Sequence, residues 1–147
     1  MIKFVNLCNE EPYRVFKKLY HKALTANQES IEAIALCTFN SAEKMVDSRF
    51  VNLKYIKNNE WIFFSNYNSP KANALDKSNN KISVLMYWHS INVQVRIKAN
   101  IFKTDEDFSN QHFLSRDKNK NALAISSNQS FKTDSLDDVK SKFNDTL

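Results

Sequence analysis

The sequence predicts an α+β fold: a small barrel of mainly antiparallel strands with helices at its edges. Three observations carry the prediction. β-Like runs at Arg49–Ile56, Trp61–Asn66, Lys81–His89 and Asn92–Phe102 follow one another through the middle of the chain. The last run alternates Val93, Val95, Ile97, Ala99 and Ile101 with Asn92, Gln94, Arg96, Lys98 and Asn100, the period of a strand with one face in a core. Helical patterns lie mostly towards the two ends, and strands grouped apart from helices close into a small barrel. With 147 residues, 42% of them hydrophobic, the chain is long enough for a real core and is expected to form a single domain over residues 1–147.

Ile2–Leu7 is a short apolar run whose state the sequence leaves open. Pro12 then opens an amphipathic helix to about Ala26. It places Tyr13, Phe16, Tyr20, Ala23 and Leu24 on one stripe, the lysines elsewhere, and His21 beside the stripe at the surface. Ile31–Phe39 reads as a strand covered on both faces, although its alanines leave a helix as the alternative. After Asn40–Val46, Val51, Leu53 and Tyr55 are expected on one side of the next strand, with Asn52 and Lys54 on the other. Arg49 is odd-spaced from Lys54, so both can reach one anion only at a strand end or across a bulge.

Lys57-Asn58-Asn59-Glu60 is a connection of hairpin length to the second strand, where Phe64 and Asn66 alternate with Phe63 and Ser65. Ser69 then caps a helix that Pro70 opens, burying Ala72 and Leu75 and ending near Asn79-Asn80. Backbone N–H groups at that helix start, with Lys71 beside them, could hold a phosphate, although a strand pair leading into a capped helix is also ordinary architecture. Beyond the last two strands, Thr104-Asp105-Glu106-Asp107 has the acids of a helix start, for a helix carrying Phe108, His112 and Phe113 towards Arg116. Ala122–Ser127 is a short helical piece, and Ser135 caps a last helix with Leu136, Val139 and Phe143 on one face.

The absence of glycine removes whole classes of chemistry. An average chain of this length carries about ten glycines. With none, there is no GxGxxG dinucleotide loop, no Walker A phosphate loop and no GxSxG nucleophile elbow. Where the backbone needs positive φ, asparagine must usually supply it. His21, His89 and His112 form no HExxH or Cys/His cluster, so no metal site is expected. Cys8 and Cys37 are far apart and expected to be reduced. The start MIKFVNLCNEE turns acidic too soon for a signal peptide and no apolar run is long enough to span a bilayer, so a cytoplasmic protein without a membrane partner is expected. A net charge of +5 suits an anionic ligand. The lysines are spread rather than blocked together and the aromatics alternate as core, so nucleic acid is not the expected partner.

RFVNLK (Arg49–Lys54), FFSNYNSPK (Phe63–Lys71), YWHSINVQVRI (Tyr87–Ile97), HFLSRD (His112–Asp117) and SSNQS (Ser126–Ser130) occur in the order and spacing of one family. From about Glu11 to Ser130 the chain resembles the pyridoxamine 5'-phosphate oxidase family. The resemblance implies an FMN-binding split β-barrel and a homodimer with the flavin in a cleft between subunits. It implies oxidation of a small phosphorylated substrate, pyridoxamine or pyridoxine 5'-phosphate, to pyridoxal 5'-phosphate, with hydride passing to FMN and then to O₂. A non-catalytic flavin-binding or sensor protein of the same fold is the alternative.

Position by position, the resemblance assigns Arg49, Lys54, Phe64, Ser65, Lys71, Gln94, Gln129 and Ser130 to the cofactor, and Ser69 at the helix start is added to them as a partial substitute for the arginine lost at Pro70. Lys54, His112, Arg116 and Lys120 fall at substrate positions. Trp61 and Trp88 are expected in the core or in dimer contacts. Three residues depart from the family pattern: Pro70 stands where a phosphate-binding arginine is usual, His112 where a tyrosine is, and Lys120 where a serine is. The family's further segment, with a tryptophan and an Arg-x-His motif, lies beyond the matched residues, so weak or altered oxidase activity is expected. The flavin would carry the redox chemistry, which lets a chain with no triad or metal motif be an enzyme.

Overall fold

One long strand organises the sheet. The computed structural model describes residues 1–41, 43–67, 80–126 and 135–146. Strand β3 (Met45–Lys57) pairs antiparallel with β2 (Ala33–Asn40), from Met45 opposite Asn40 to Asn52 opposite Ala33. Its last part pairs instead with β1 (Lys3–Val5) in parallel and with β4 (Glu60–Phe63) antiparallel. The change of partners falls at a bulge: Leu53 lies opposite Phe63 but Tyr55 opposite Ile62, so Lys54 is the extra residue. Among the described residues, strands β5 (Lys81–Trp88) and β6 (Val93–Asn100) bring the sheet to six strands, in the order β1-β3-β2-β5-β6 with β4 on β3.

The bulge resets the alternation of β3. Leu53 and Ile56 are both fully buried, although a regular strand would turn them to opposite faces. The expectation that Tyr55 shares a side with Val51 and Leu53 is therefore corrected. The extra residue hands the inward position to Ile56 and leaves Tyr55 half-buried. The two ends of the neighbouring hairpins also differ from expectation. β2 runs on to Asn40 and β3 already starts at Met45, and the β3–β4 turn tightens to Asn58-Asn59, because Lys57 and Glu60 pair.

Helix α1 (Glu11–Thr25) buries Phe16, Tyr20 and Ala23 against the sheet. Phe16 packs at 4.4 Å from Trp61 and 5.3 Å from Trp88, and the Trp88 Nε1–H donates to the Ile31 carbonyl at 3.0 Å. Trp88 is 2% exposed, and removing a buried ring of this size costs about 3–5 kcal/mol. The run left open at the N-terminus is strand β1, anchored where the Ile2 N–H donates to Tyr20 Oη at 3.0 Å.

With no glycine, the chain turns on other residues. Positive φ occurs at Asn6, Asn27, Ser30, Lys44, Asn58 and Asn92, mostly asparagine as expected. Three further helices lie among the described residues: α2 (Glu106–Leu114), α3 (Lys118–Ser126) and α4 (Leu136–Thr146). Asp105 caps α2 by accepting the Phe108 N–H at 3.1 Å, and Ser135 caps α4 by accepting the Asp138 N–H at 3.0 Å. Helix α3 starts earlier than Ala122 because the Asp117 carboxylate accepts the N–H groups of Asn119 and Lys120. The helix expected from Ser69 lies outside the described residues. Among the described residues no helix is long and apolar enough to cross a membrane.

Candidate functional site

The site is built on the bulge. It releases Lys54 from the regular ladder, and the Lys54 ammonium lies 2.7 Å from Glu32 Oε1. The other Glu32 oxygen lies 2.6 Å from the amino group of Met1. Burial pushes the Glu32 carboxyl up, but hydrogen bonds from Lys54 and the amino group outweigh it and hold its pKa below the usual carboxylate range.

Tyr55 follows directly, and its Oη lies 3.1 Å from His112 Nδ1 on α2. The His112 ring stacks on Phe64, just past β4, with centroids 3.7 Å apart and planes 6° from parallel. Phe108, one helical turn before His112, meets Tyr55 edge-on at 5.3 Å. Helix α2 thus docks on the sheet through an i, i+4 pair. Lys57 lies over the Phe108 ring at 5.4 Å and Lys3 over the Tyr55 ring at 5.6 Å, so the cluster is aromatic within and positive at its rim. Burial first, then the charges of Arg116, Lys54 and Lys3, lower the pKa of His112 below 6.5, so the ring is neutral at pH 7.

Lys54, Phe64, His112 and Arg116 are therefore neighbours or within electrostatic reach, although they come from separate parts of the chain. Arg116 lies over Phe113 at 5.6 Å and donates to the Lys120 carbonyl at 3.3 Å, which ties Lys120 to the α2–α3 corner through its backbone. Arg49 is half-buried on the inner face of β3, donates to Thr38 Oγ1 at 2.6 Å and pairs with Asp47. The bulge that Arg49 and Lys54 would need is present, yet each is held by its own carboxylate and no described contact joins the two cations. Ser65 is half-buried beyond β4. Gln94 is exposed on β6 opposite Tyr87, on the outer face of the sheet and away from the aromatic cluster. Ser69, Lys71, Gln129 and Ser130 lie outside the described residues.

Tyr55, Phe108 and Glu32 contact the candidate residues without being expected there from the sequence. Regular alternation turned Tyr55 inward, and no spacing marks Glu32 as the partner of Lys54. A cavity of about 750 Å³ at the C-terminal end of α1, bordered by Lys22, Thr25, His89 and Ser90, contains none of the expected site residues. Among the described residues no three His, Cys, Asp or Glu side chains gather to hold a metal.

No protein-family model matches the chain. A pyridoxine/pyridoxamine 5'-phosphate oxidase of Hydrogenovibrio crunogenus is 30% identical over 137 residues, 93% of this chain and 62% of that protein. The chloroplastic enzyme of that name from Arabidopsis thaliana is 35% identical over 82% of this chain and 22% of its own length. Among solved structures, PhzG from Burkholderia lata, in complex with tetrahydrophenazine-1-carboxylic acid, superposes with a TM-score of 0.86 over 92% of this chain and 66% of its own, at 22% identity. This chain is a relative of the pyridoxine/pyridoxamine 5'-phosphate oxidases. Its fold is their split barrel, shared also with a pyridoxamine 5'-phosphate oxidase-related, FMN binding protein from Nostoc punctiforme at a TM-score of 0.69 and 12% identity. The chain spans less than two thirds of the length of these first oxidase relatives.

Proposed function

We propose that this chain is an FMN-dependent oxidoreductase acting on a small phosphorylated substrate, as in the oxidation of pyridoxamine or pyridoxine 5'-phosphate to pyridoxal 5'-phosphate. The observation that carries the proposal is the His112 ring stacked on Phe64 and hydrogen-bonded to Tyr55, next to the bulge that releases Lys54. The reading is supported by the contact between Phe64, which the resemblance gives to the flavin, and His112, which it gives to the substrate.

The residues present fit the cofactor. Arg49 and Lys54 are half-buried cations whose carboxylate partners leave donors to spare, and a phosphate dianion needs fixed cations. Phe64, packed against Tyr55 and His112, offers a flat ring. FMN, when bound, supplies the hydride acceptor. Lys54 would bind cofactor and substrate phosphates, Arg116 would grip the substrate phosphate with its guanidinium fork, and neutral His112 would orient the substrate without adding charge. Together they would hold the reacting carbon in place and exclude water from it.

We also infer a homodimer that closes the site. The supporting feature is the outer face of the sheet. Phe39, Val46, Phe50, Leu85 and Tyr87 share that face and are exposed, Phe50 by 78%. Gln94 and Arg96 border the patch in register with Tyr87 and Leu85, which suits a cofactor reached by Gln94 from a second subunit.

An absorption titration with FMN, followed by anaerobic addition of pyridoxamine 5'-phosphate, tests the reading. A perturbed flavin spectrum that bleaches on substrate addition is expected. Binding without bleaching would favour a non-catalytic flavin protein, and an unperturbed spectrum would overturn the proposal.

A further inference from the structure

Between Tyr55 and His112 a single proton decides what the site can recognise. Tyr55 Oη and His112 Nδ1 are 3.1 Å apart, and either could own the hydrogen. Three features settle the direction. A phenol is a stronger acid than a neutral imidazole N–H, so the hydroxyl is the better donor. The Lys3 ammonium lies 5.6 Å from the centre of the Tyr55 ring and further polarises that hydroxyl. The Phe64 stack, 3.7 Å away and 6° from parallel, holds the plane of the imidazole, and the Tyr55 contact keeps Nδ1 on its own side of the ring. Among the described residues, the opposite nitrogen, Nε2, has no hydrogen-bond partner.

We propose that Tyr55 is a positioning residue: it donates its phenolic proton to His112 Nδ1 and holds the imidazole as the Nε2–H form, so that His112 offers an uncharged donor to an anionic oxygen of the substrate. The Nδ1–H form would instead present a bare lone pair, which repels that oxygen. The substrate half of this statement rests on the oxidoreductase reading above, and the tautomer half does not. A neutral donor suits this place because Lys54 and Arg116 already supply charge, and His112 adds direction.

Long-range proton–nitrogen correlation spectra of ¹⁵N-labelled protein, recorded at pH 7.5 without cofactor, test the tautomer directly. His112 is assigned among the three histidines by the signal lost in His112→Gln. Wild type should show a hydrogen-bonded, pyridine-like Nδ1 and a protonated Nε2. Tyr55→Phe should move Nδ1 towards the position of a free acceptor or mix the two tautomers. A protonated Nδ1 in wild type overturns the proposal without any variant, and so does a Tyr55→Phe spectrum identical to wild type. On flavin-loaded protein, Tyr55→Phe should raise the KM for pyridoxamine 5'-phosphate about tenfold, the loss of one hydrogen bond of about 1.4 kcal/mol, with a smaller change in kcat. If wild type binds no FMN, the functional reading fails while the tautomer result stands. If FMN binds and the tautomer is wrong, only the role of Tyr55 fails.

Discussion

The imidazole of His112 lies flat on the ring of Phe64, 3.7 Å between centroids, so a residue expected to touch substrate rests on one expected to touch flavin. The stack is also a joint between α2 and the end of β4. A double-mutant cycle with Phe64→Ala and His112→Ala should give a coupling energy of about 0.5–1.5 kcal/mol in urea unfolding. Additive effects of the two substitutions would mean that the stack holds nothing together.

The pH dependence of stability should carry two signatures of one sign. For His112 the folded pKa lies below the ordinary 6.5, so the unfolded chain binds more protons in the window between them. The contribution is complete above pH 6.5 and is lost as pH falls through the folded value. Glu32, depressed below its ordinary 4.5, acts in the same direction at lower pH, present above 4.5 and lost as pH falls through its folded pKa. Urea midpoints measured from pH 8 down to about pH 2 should flatten below neutrality in His112→Gln, and Glu32→Gln should remove the more acidic step below pH 4.5.

Glu32 also competes with any phosphate for Lys54, from 2.7 Å away. Glu32→Gln should lower stability by about 1 kcal/mol, as for a partly exposed ion pair. It should also tighten FMN binding about threefold, because an anion beside the phosphate is removed. Flavin fluorescence titrations of both proteins measure this. Weaker binding by the variant would show that Glu32 serves to aim Lys54 rather than to restrain it.

Lys54→Ala should weaken FMN binding and abolish turnover together, since one ammonium is assigned to both ligands. Wild type should prefer FMN to riboflavin for the same reason. At 100 times its dissociation constant, FMN should stabilise the fold by about 2.7 kcal/mol. Equal thermal shifts from FMN and riboflavin would place the phosphate elsewhere.

Phe50, 78% exposed on the outer apolar face, is the residue to test for assembly. Light scattering at micromolar concentration should show a dimer for wild type and a monomer for Phe50→Asp, with the variant losing FMN affinity as well. A wild-type monomer in the presence of FMN would overturn the inferred homodimer.

Much of the fold was legible because it is written in periods. The alternation of Val93–Asn100 and the α1 stripe of Phe16, Tyr20 and Ala23 state which way each side chain points. Asp105 and Ser135 mark helix starts through chemistry that any reader of caps can see. The bulge has no such mark. Lys54 is an ordinary strand residue, and only the mismatch between Leu53–Phe63 and Tyr55–Ile62 shows that β3 carries one residue too many. Tyr55 was therefore turned the wrong way. The contacts from Lys54 to Glu32 and from Tyr55 to His112 join residues 22 and 57 positions apart, which no local pattern encodes.

Reversing direction on Asn58, Asn92, Ser30 and Lys44 instead of on glycine also shapes the denatured chain. A left-handed residue with a Cβ carries a strain of order 1 kcal/mol in the native state, least for asparagine. The same Cβ narrows the unfolded ensemble by roughly 0.4–1 kcal/mol per position relative to glycine. The two effects nearly cancel at each turn. Elsewhere in the chain, residues at ordinary φ keep the narrowing without the strain. The unfolded state of this protein is thus stiffer than that of a glycine-bearing chain of equal length, and it loses less backbone freedom when it folds.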